Sequence, residues 1–243
     1  MKGLMNPQKI RMLVDITMTV LSVILMGGTV LFSDDRVHQI LGMVLLLLWI
    51  LHIFFNRKWY GSVFRGSYNP FRIFQTLVNC GLLFCAILLM VSGMSMAWFM
   101  PASFGLGFAR TAHLISSHWY YVFMSLHLGL HVDMIFRKIK AGREKRGLSS
   151  RKRPVFLGVS LKILLCLVGL NGLWAFVTRG VWKYMFLLQQ FFFFDFGKGY
   201  VRFALDYISI IVLFAFLAHL LQKNLKERTS AAPKGKNCRA NAV

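Results

Sequence analysis

Residues His38–Phe55 read HQILGMVLLLLWILHIFF, a run whose only strongly polar members are His38, Gln39 and His52. A helix that crosses a bilayer needs about 20 mostly apolar residues, and this run comes close to that. It stops at the basic cluster Asn56-Arg57-Lys58. Its two histidines lie fourteen residues apart, which is nearly four helical turns, so both look out from one face of the helix. A second run, Ala112–Phe136 (AHLISSHWYYVFMSLHLGLHVDMIF), repeats the spacing between His113 and His127.

Outward from these two runs, four more apolar segments complete a set of six: Met12–Phe32, Ile73–Trp98, Phe156–Val177 and Phe203–Leu221. The whole chain agrees. Of 243 residues 57% are hydrophobic and 15% aromatic, yet 29 Lys+Arg stand against 8 Asp+Glu for a net charge of +21. A soluble domain of this size cannot hide that much apolar surface in one core. Disorder is excluded by the hydrophobicity and a disulfide scaffold by four scattered cysteines. Nucleic-acid binding is disfavoured because the basic residues sit between long apolar runs. The expected fold class is all-α, a polytopic membrane helix bundle of about six transmembrane helices. Residues 1–11 are basic, but no small-residue cleavage site follows the first apolar run, so no cleavable signal is expected.

Charge placement gives an orientation. Alternate loops carry 22 Lys and Arg on one side and 6 on the other. The positive-inside rule puts both termini in the cytoplasm. Residues 139–154 then form a basic cytoplasmic loop, read as a topology signal and a contact for the lipid bilayer. Residues 155–222 are expected to hold two C-terminal transmembrane helices. Between them, Val181–Phe196 is expected to be an interfacial helix on the outer face, with a re-entrant segment as the alternative. The tail 223–243 is expected to be disordered, on the polar character of Arg228–Val243.

Soluble catalytic motifs are missing from the sequence: no phosphate loop, no dinucleotide fingerprint and no Ser-His-Asp arrangement. No catalytic residue is assigned. Three acids stand four residues from an arginine, as Arg11/Asp15, Asp133/Arg137 and Arg202/Asp206. That spacing makes them neighbours on a helix, and paired charge at a membrane boundary is preferred to a proton path. Asp195 and the pair Asp34-Asp35 are read as solvated in outer loops.

Six of the seven histidines fall in the two runs first described. His38 and His113 then lie together near the outer face, and His52 with His127 nearer the cytoplasm, because both runs cross in the same direction. Members of each run are about 21 Å apart along the axis. A single ion, with ligand bonds of about 2 Å, cannot span that. Two large cofactors stacked across the bilayer can, and facing imidazoles at two depths suit two bis-His haems in a four-helix core spanning residues 1–138. The pairs are His38 with His113 and His52 with His127. Alternatives stay open. His131 shares a face with His127 and could replace it, bond a haem propionate or line a quinone pocket. His118 could face another surface, and His219 is read as interfacial. Gly42 and Gly129 could admit a porphyrin face or serve helix packing. No Cys-x-x-Cys-His occurs, so haem b rather than covalent haem is expected.

These residues resemble the flavinylation-associated cytochrome family, whose core design is similar to that of ferric-reductase-like membrane b-type cytochromes. The likeness covers residues 10–222. It runs through His38-Gln-Ile-Leu-Gly, Leu51-His52, Asn56-Arg57-Lys58-Trp59-Tyr60, Tyr68-Asn69-Pro70-Phe71-Arg72 and Ser92-Gly93. It continues through Arg110-Thr-Ala-His113, His127-Leu-Gly-Leu-His131, Phe194-Asp195 and Asp206-Tyr207. The resemblance implies a b-type cytochrome of a bacterial or archaeal cytoplasmic membrane, passing electrons from a quinol or cytoplasmic donor to an extracytosolic flavin-carrying protein or other redox partner. It carries His38, His52, His113 and His127 over as ligands, with His131 also matching and Arg110 placed to steady a propionate. His118 departs from the pattern. The chain is expected to be the electron-transfer subunit of a membrane oxidoreductase system. The competing readings are a His-lined metal-ion transporter and a structural membrane subunit.

Overall fold

The computed structural model describes residues 6–32, 34–100, 106–145, 155–192, 197 and 199–231. The described residues form helices α1 (Pro7–Leu25), α2 (Asp35–Phe55), α3 (Arg57–Ser62), α4 (Pro70–Ser95), α5 (Leu106–Lys145), α6 (Val155–Thr178), α7 (Val181–Met185) and α8 (Gly199–Ala231). A 3₁₀ turn, Gly28–Leu31, links α1 to α2, and no strand occurs among the described residues. Each of the six apolar runs is a long helix. Among the described residues, α2, α4 and the part of α8 from Gly199 to Thr229 are long and apolar enough to cross a membrane. In α1 the apolar run is short and carries Asp15, α5 carries His and Ser throughout, and α6 holds a shorter described apolar stretch, Ile163–Thr178.

Helix starts follow local chemistry. Asn6 and Asn69 each precede a proline at the first helical position and accept a backbone N–H, from Gln8 (3.0 Å) and Arg72 (2.8 Å). Asp34 caps α2 by accepting from Arg36 N at 2.8 Å, and both Asp34 and Asp35 are exposed, as expected. The first predicted span is shorter than expected. Helix α1 ends at Leu25, and the chain bends at Gly28, whose φ of 63° favours glycine.

Helices α5 and α8 run past their predicted ends. The basic stretch from residue 139 begins as helix, to Lys145, and the expected disordered tail is helical as far as Ala231. Lys, Arg, Glu and Gln are good helix formers and extend a helix already nucleated. At 40 residues α5 is about 60 Å long, twice a bilayer's hydrocarbon core, so its basic end projects beyond one. The rest of the loop (146–154) and of the tail (232–243) lies outside the described residues. The expected interfacial helix is corrected too. Among the described residues of this segment only Val181–Met185 is helical, and Val181, Tyr184 and Met185 are buried under α5, where Trp119 Nε1 donates to the Met185 carbonyl at 3.0 Å. Positive φ at Gly180 and Leu187 confines the helix to this short stretch. Phe186, Leu188 and Phe191 beyond it are exposed. Phe194 and Asp195 lie outside the described residues.

The dense part of the bundle joins α4, α5, α6 and α8, with α7 beneath. Tyr120, Tyr121, Phe203, Tyr207 and Ile210 are buried there, and Tyr121 donates to the Tyr207 carbonyl at 2.6 Å. Gly129 lets α5 touch α8: a Cβ would lie 2.3 Å from the Ala215 carbonyl oxygen. Its role is helix packing. Helix α2 differs. It packs mainly on α1, touches α4 lightly, and buries only Leu45.

Of the three predicted acid–arginine pairs, Arg202/Asp206 forms, at 3.0 Å. Arg179 joins it, donating from Nε and Nη2 to Asp206 Oδ2 at 3.0 and 2.8 Å, with both side chains nearly buried. Removing one partner of such a pair strands the other charge. Asp206→Asn is expected to lower stability by about 3 kcal/mol, read as earlier unfolding of the detergent-solubilised protein. Asp15 reaches His52 instead of Arg11, which lies over Phe55 at 5.4 Å. Asp133 faces α8, with Gln222 Nε2 at 3.2 Å, Lys226 at 3.6 Å and His219 at 3.7 Å.

Candidate functional site

On α2 the positions His38, Gly42, Leu45, Trp49 and His52 recur at helical spacing and form one face. On α5 the corresponding face carries His113, Ser117, Tyr120, Met124 and His127. Backbone packing between α2 and α5 is slight, and histidine rings from the two faces meet at two levels. His38 and His113 have ring centres 6.3 Å apart, and His52 and His127 have theirs 6.4 Å apart. Both pairings expected from spacing are therefore the pairings of the fold.

The separation has chemical meaning. An ion gripped from opposite sides through bonds of about 2 Å, with each ring centre about 1 Å behind its nitrogen, holds two imidazole centres about 6 Å apart. Haem iron accepts such axial imidazoles and takes its remaining four bonds from the macrocycle. Among the described residues no group of three or more His, Cys, Asp or Glu gathers to cage a bare ion. Two facing rings at this separation are a donor set that would suit axial ligation of a haem iron.

The other nitrogens are tied back. His127 Nδ1 donates to Asn79 Oδ1 on α4 at 2.8 Å. His113 Nδ1 lies 3.2 Å from the Leu89 carbonyl, with Ser92 Oγ at 3.3 Å. Ser92 itself donates to the Leu88 carbonyl at 2.6 Å. A Cβ on Gly93 would come within 3.2 Å of His113 Cε1, so Ser92-Gly93 is the surface against which that ring rests. His52 Nδ1 donates to Asp15 Oδ1 at 2.7 Å, while Asn56 Nδ2 donates to the His52 carbonyl at 2.8 Å and lies 3.4 Å from Nε2. His38 Nδ1 is buried beside the Gly28 backbone without a hydrogen bond of good geometry. Where Nδ1 donates, the tautomer is fixed and Nε2 is left unprotonated and able to bind a metal. Asp15, Asn79 and Leu89 were missed as partners in the sequence reading, because each comes from a helix far away along the chain.

The remaining candidates separate. His131 lies one turn beyond His127, ring centres 4.6 Å apart, at the edge of the inner pair. His118 faces elsewhere: it is buried, stacked on Tyr184 at 4.6 Å, and donates from Nδ1 to the Leu114 carbonyl at 2.8 Å. His219 is near Asp133, away from both pairs. Arg110 sits one turn before His113 and is exposed. Around Gly42 there is open space, with nothing within 4 Å of where a Cβ would lie. One turn from Asn79 along α4, a cleft of about 430 Å³ is lined by Trp59, Arg65, Phe71, Arg72, Gln75 and Thr76.

No family model, curated protein or solved structure matches the chain.

Proposed function

We propose that this chain is a membrane b-type cytochrome that holds two haems, one between His38 and His113 and one between His52 and His127, and carries electrons across the bilayer. The observation that carries this reading is the repeated ring separation, 6.3 and 6.4 Å, at two depths of one helix pair. Bound haem supplies one-electron exchange between ferric and ferrous iron. The chain does the rest. Asn79, Leu89 and Asp15 orient the imidazoles, the inward faces of α2 and α5 would shield an apolar ring from water, and Arg110, exposed one turn before His113, would steady a propionate.

In this reading all six long helices cross the membrane, α1, α2, α4 and α5 form the haem-binding core, and both termini are cytoplasmic, as the 22-to-6 division of basic residues favours. A quinol or cytoplasmic reductant would deliver electrons at the inner face, where the Trp59–Gln75 cleft offers an aromatic and polar lining. An extracytosolic flavin-carrying protein or another oxidant would receive them, as the family resemblance suggests. A metal-ion transporter fits less well: α2 and α5 are unbroken helices, and no cage of ligands assembles among the described residues.

The test is a reduced-minus-oxidised absorption spectrum of the purified protein with haem stoichiometry by pyridine haemochrome. A b-type spectrum with two haems per chain is expected. A colourless protein from cells with ample haem supply overturns the reading.

A further inference from the structure

The four candidate ligands differ in what holds the nitrogen away from the iron. His52 Nδ1 meets a carboxylate, Asp15 Oδ1, at 2.7 Å. Its partner His127 meets a neutral amide oxygen at 2.8 Å. In the outer pair, His113 meets a neutral backbone carbonyl at 3.2 Å, and His38 Nδ1 lies beside the neutral Gly28 backbone without a hydrogen bond of good geometry. Hydrogen bonding to the anchored nitrogen is therefore stronger on the inner pair, and only there is it anionic.

A carboxylate on Nδ1–H draws the proton toward itself and leaves Nε2 a stronger donor. Contacts with an ionised acceptor are roughly twice as strong as neutral ones. A stronger axial donor, with a negative charge close by, favours ferric over ferrous iron. Asp15 is half exposed, which screens its charge at a distance, but a direct hydrogen bond has no solvent between its atoms. Among the described residues no Lys or Arg lies within ion-pair distance of Asp15, because Arg11 is drawn over Phe55. The outer pair also has an acid near it. Asp35 acts on His38 through space, without a hydrogen bond to the ring. His131 and Lys138 flank the inner pair, and neither binds the Asp15 carboxylate.

We infer that Asp15, through its hydrogen bond to His52, makes the inner site the more reducing of the two. With both haems bound, an electron shared between the sites would settle on the outer one, a transfer of one electron from inner to outer iron in which no bond forms or breaks, and flow would run outward from the cytoplasmic side. Asp15 is a positioning residue acting through His52. The inference rests on the two-haem reading.

The experiment is a redox titration of the haem-loaded protein followed by absorbance. Two midpoints are expected. Asp15→Asn keeps a hydrogen-bond acceptor and removes the charge. It should raise the lower midpoint and leave the upper one in place, changing the partition of one electron about tenfold, or about 59 mV for a one-electron couple. Asp15→Glu should restore the lower value. Asn79→Asp puts a second carboxylate on the inner pair and should move the same midpoint down, which decides the matter even where Asp15→Asn fails to load its inner site. Movement of the upper midpoint instead, or an unmoved lower midpoint in Asn79→Asp or in a fully loaded Asp15→Asn, overturns the inference. Two bound haems with unshifted potentials would sink this inference alone, whereas a haem-free wild type would sink the function reading beneath it.

Discussion

His127→Ala is expected to halve the haem content of the purified protein and leave the outer haem spectrum intact. His127 supplies one of the two rings of the inner pair, 6.4 Å from His52, and its own Nδ1 is fixed by Asn79. Alanine removes the ligand and leaves the Asn79 amide without its partner. The neighbouring His131 is one turn further along α5 and is not expected to replace it, since the ring that meets His52 is that of His127. His131→Ala is accordingly expected to keep both haems. The opposite pair of results, with haem lost in His131→Ala and retained in His127→Ala, would move the ligand role by one turn. Full haem content in single alanine variants of His38, His52, His113 and His127 would end the cytochrome reading altogether. Pyridine haemochrome measured against protein concentration reads each case directly.

The pairing of histidines was legible because helix geometry is rigid: residues fourteen apart share a face whatever else the chain does. Two runs with the same spacing and the same direction across the bilayer leave little freedom in which ring meets which. The supporting contacts were not legible. His127–Asn79 joins positions 48 apart and His52–Asp15 positions 37 apart, and no periodicity marks such a pair in advance. Asp15 also shows why local spacing misleads. An exposed helical acid–arginine pair is worth only about 0.2–0.5 kcal/mol, so a better partner across a helix interface takes the carboxylate. Arg202 and Asp206 kept their spacing-predicted pairing, and the nearly buried Arg179 that locks them together comes from the turn after α6. Helix ends were misjudged where hydropathy was used as the boundary. Polar residues at the ends of α5 and α8 continue a helix perfectly well, and the aromatic run after Gly180 folds into the bundle instead of lying along a surface.

Removal of the cofactor is expected to loosen α2 while leaving the α4–α5–α8 packing in place. The reason is the uneven distribution of buried surface. Helices α4, α5 and α8 interlock through Tyr121, Tyr207 and Ile210 and through the close approach at Gly129. Helix α2 has one buried side chain, Leu45, and its outward residues Ile40, Leu47 and Phe54 are more than half exposed. Its inward face meets α5 through histidine rings, beside open space at Gly42. A segment with few apolar contacts opens at low cost, and a ligand that binds only the closed arrangement adds its binding free energy to that cost. Amide hydrogen exchange in detergent should therefore speed up across His38–His52 by about tenfold or more in haem-free protein, equivalent to about 1.4 kcal/mol of lost protection. The segment Tyr120–Leu130 of α5 should change far less. A His38→Ala/His52→Ala double variant should reproduce the haem-free pattern without any extraction step. Equal protection of α2 with and without haem would mean that this helix is held by α1 alone, and would take away the cofactor's structural role.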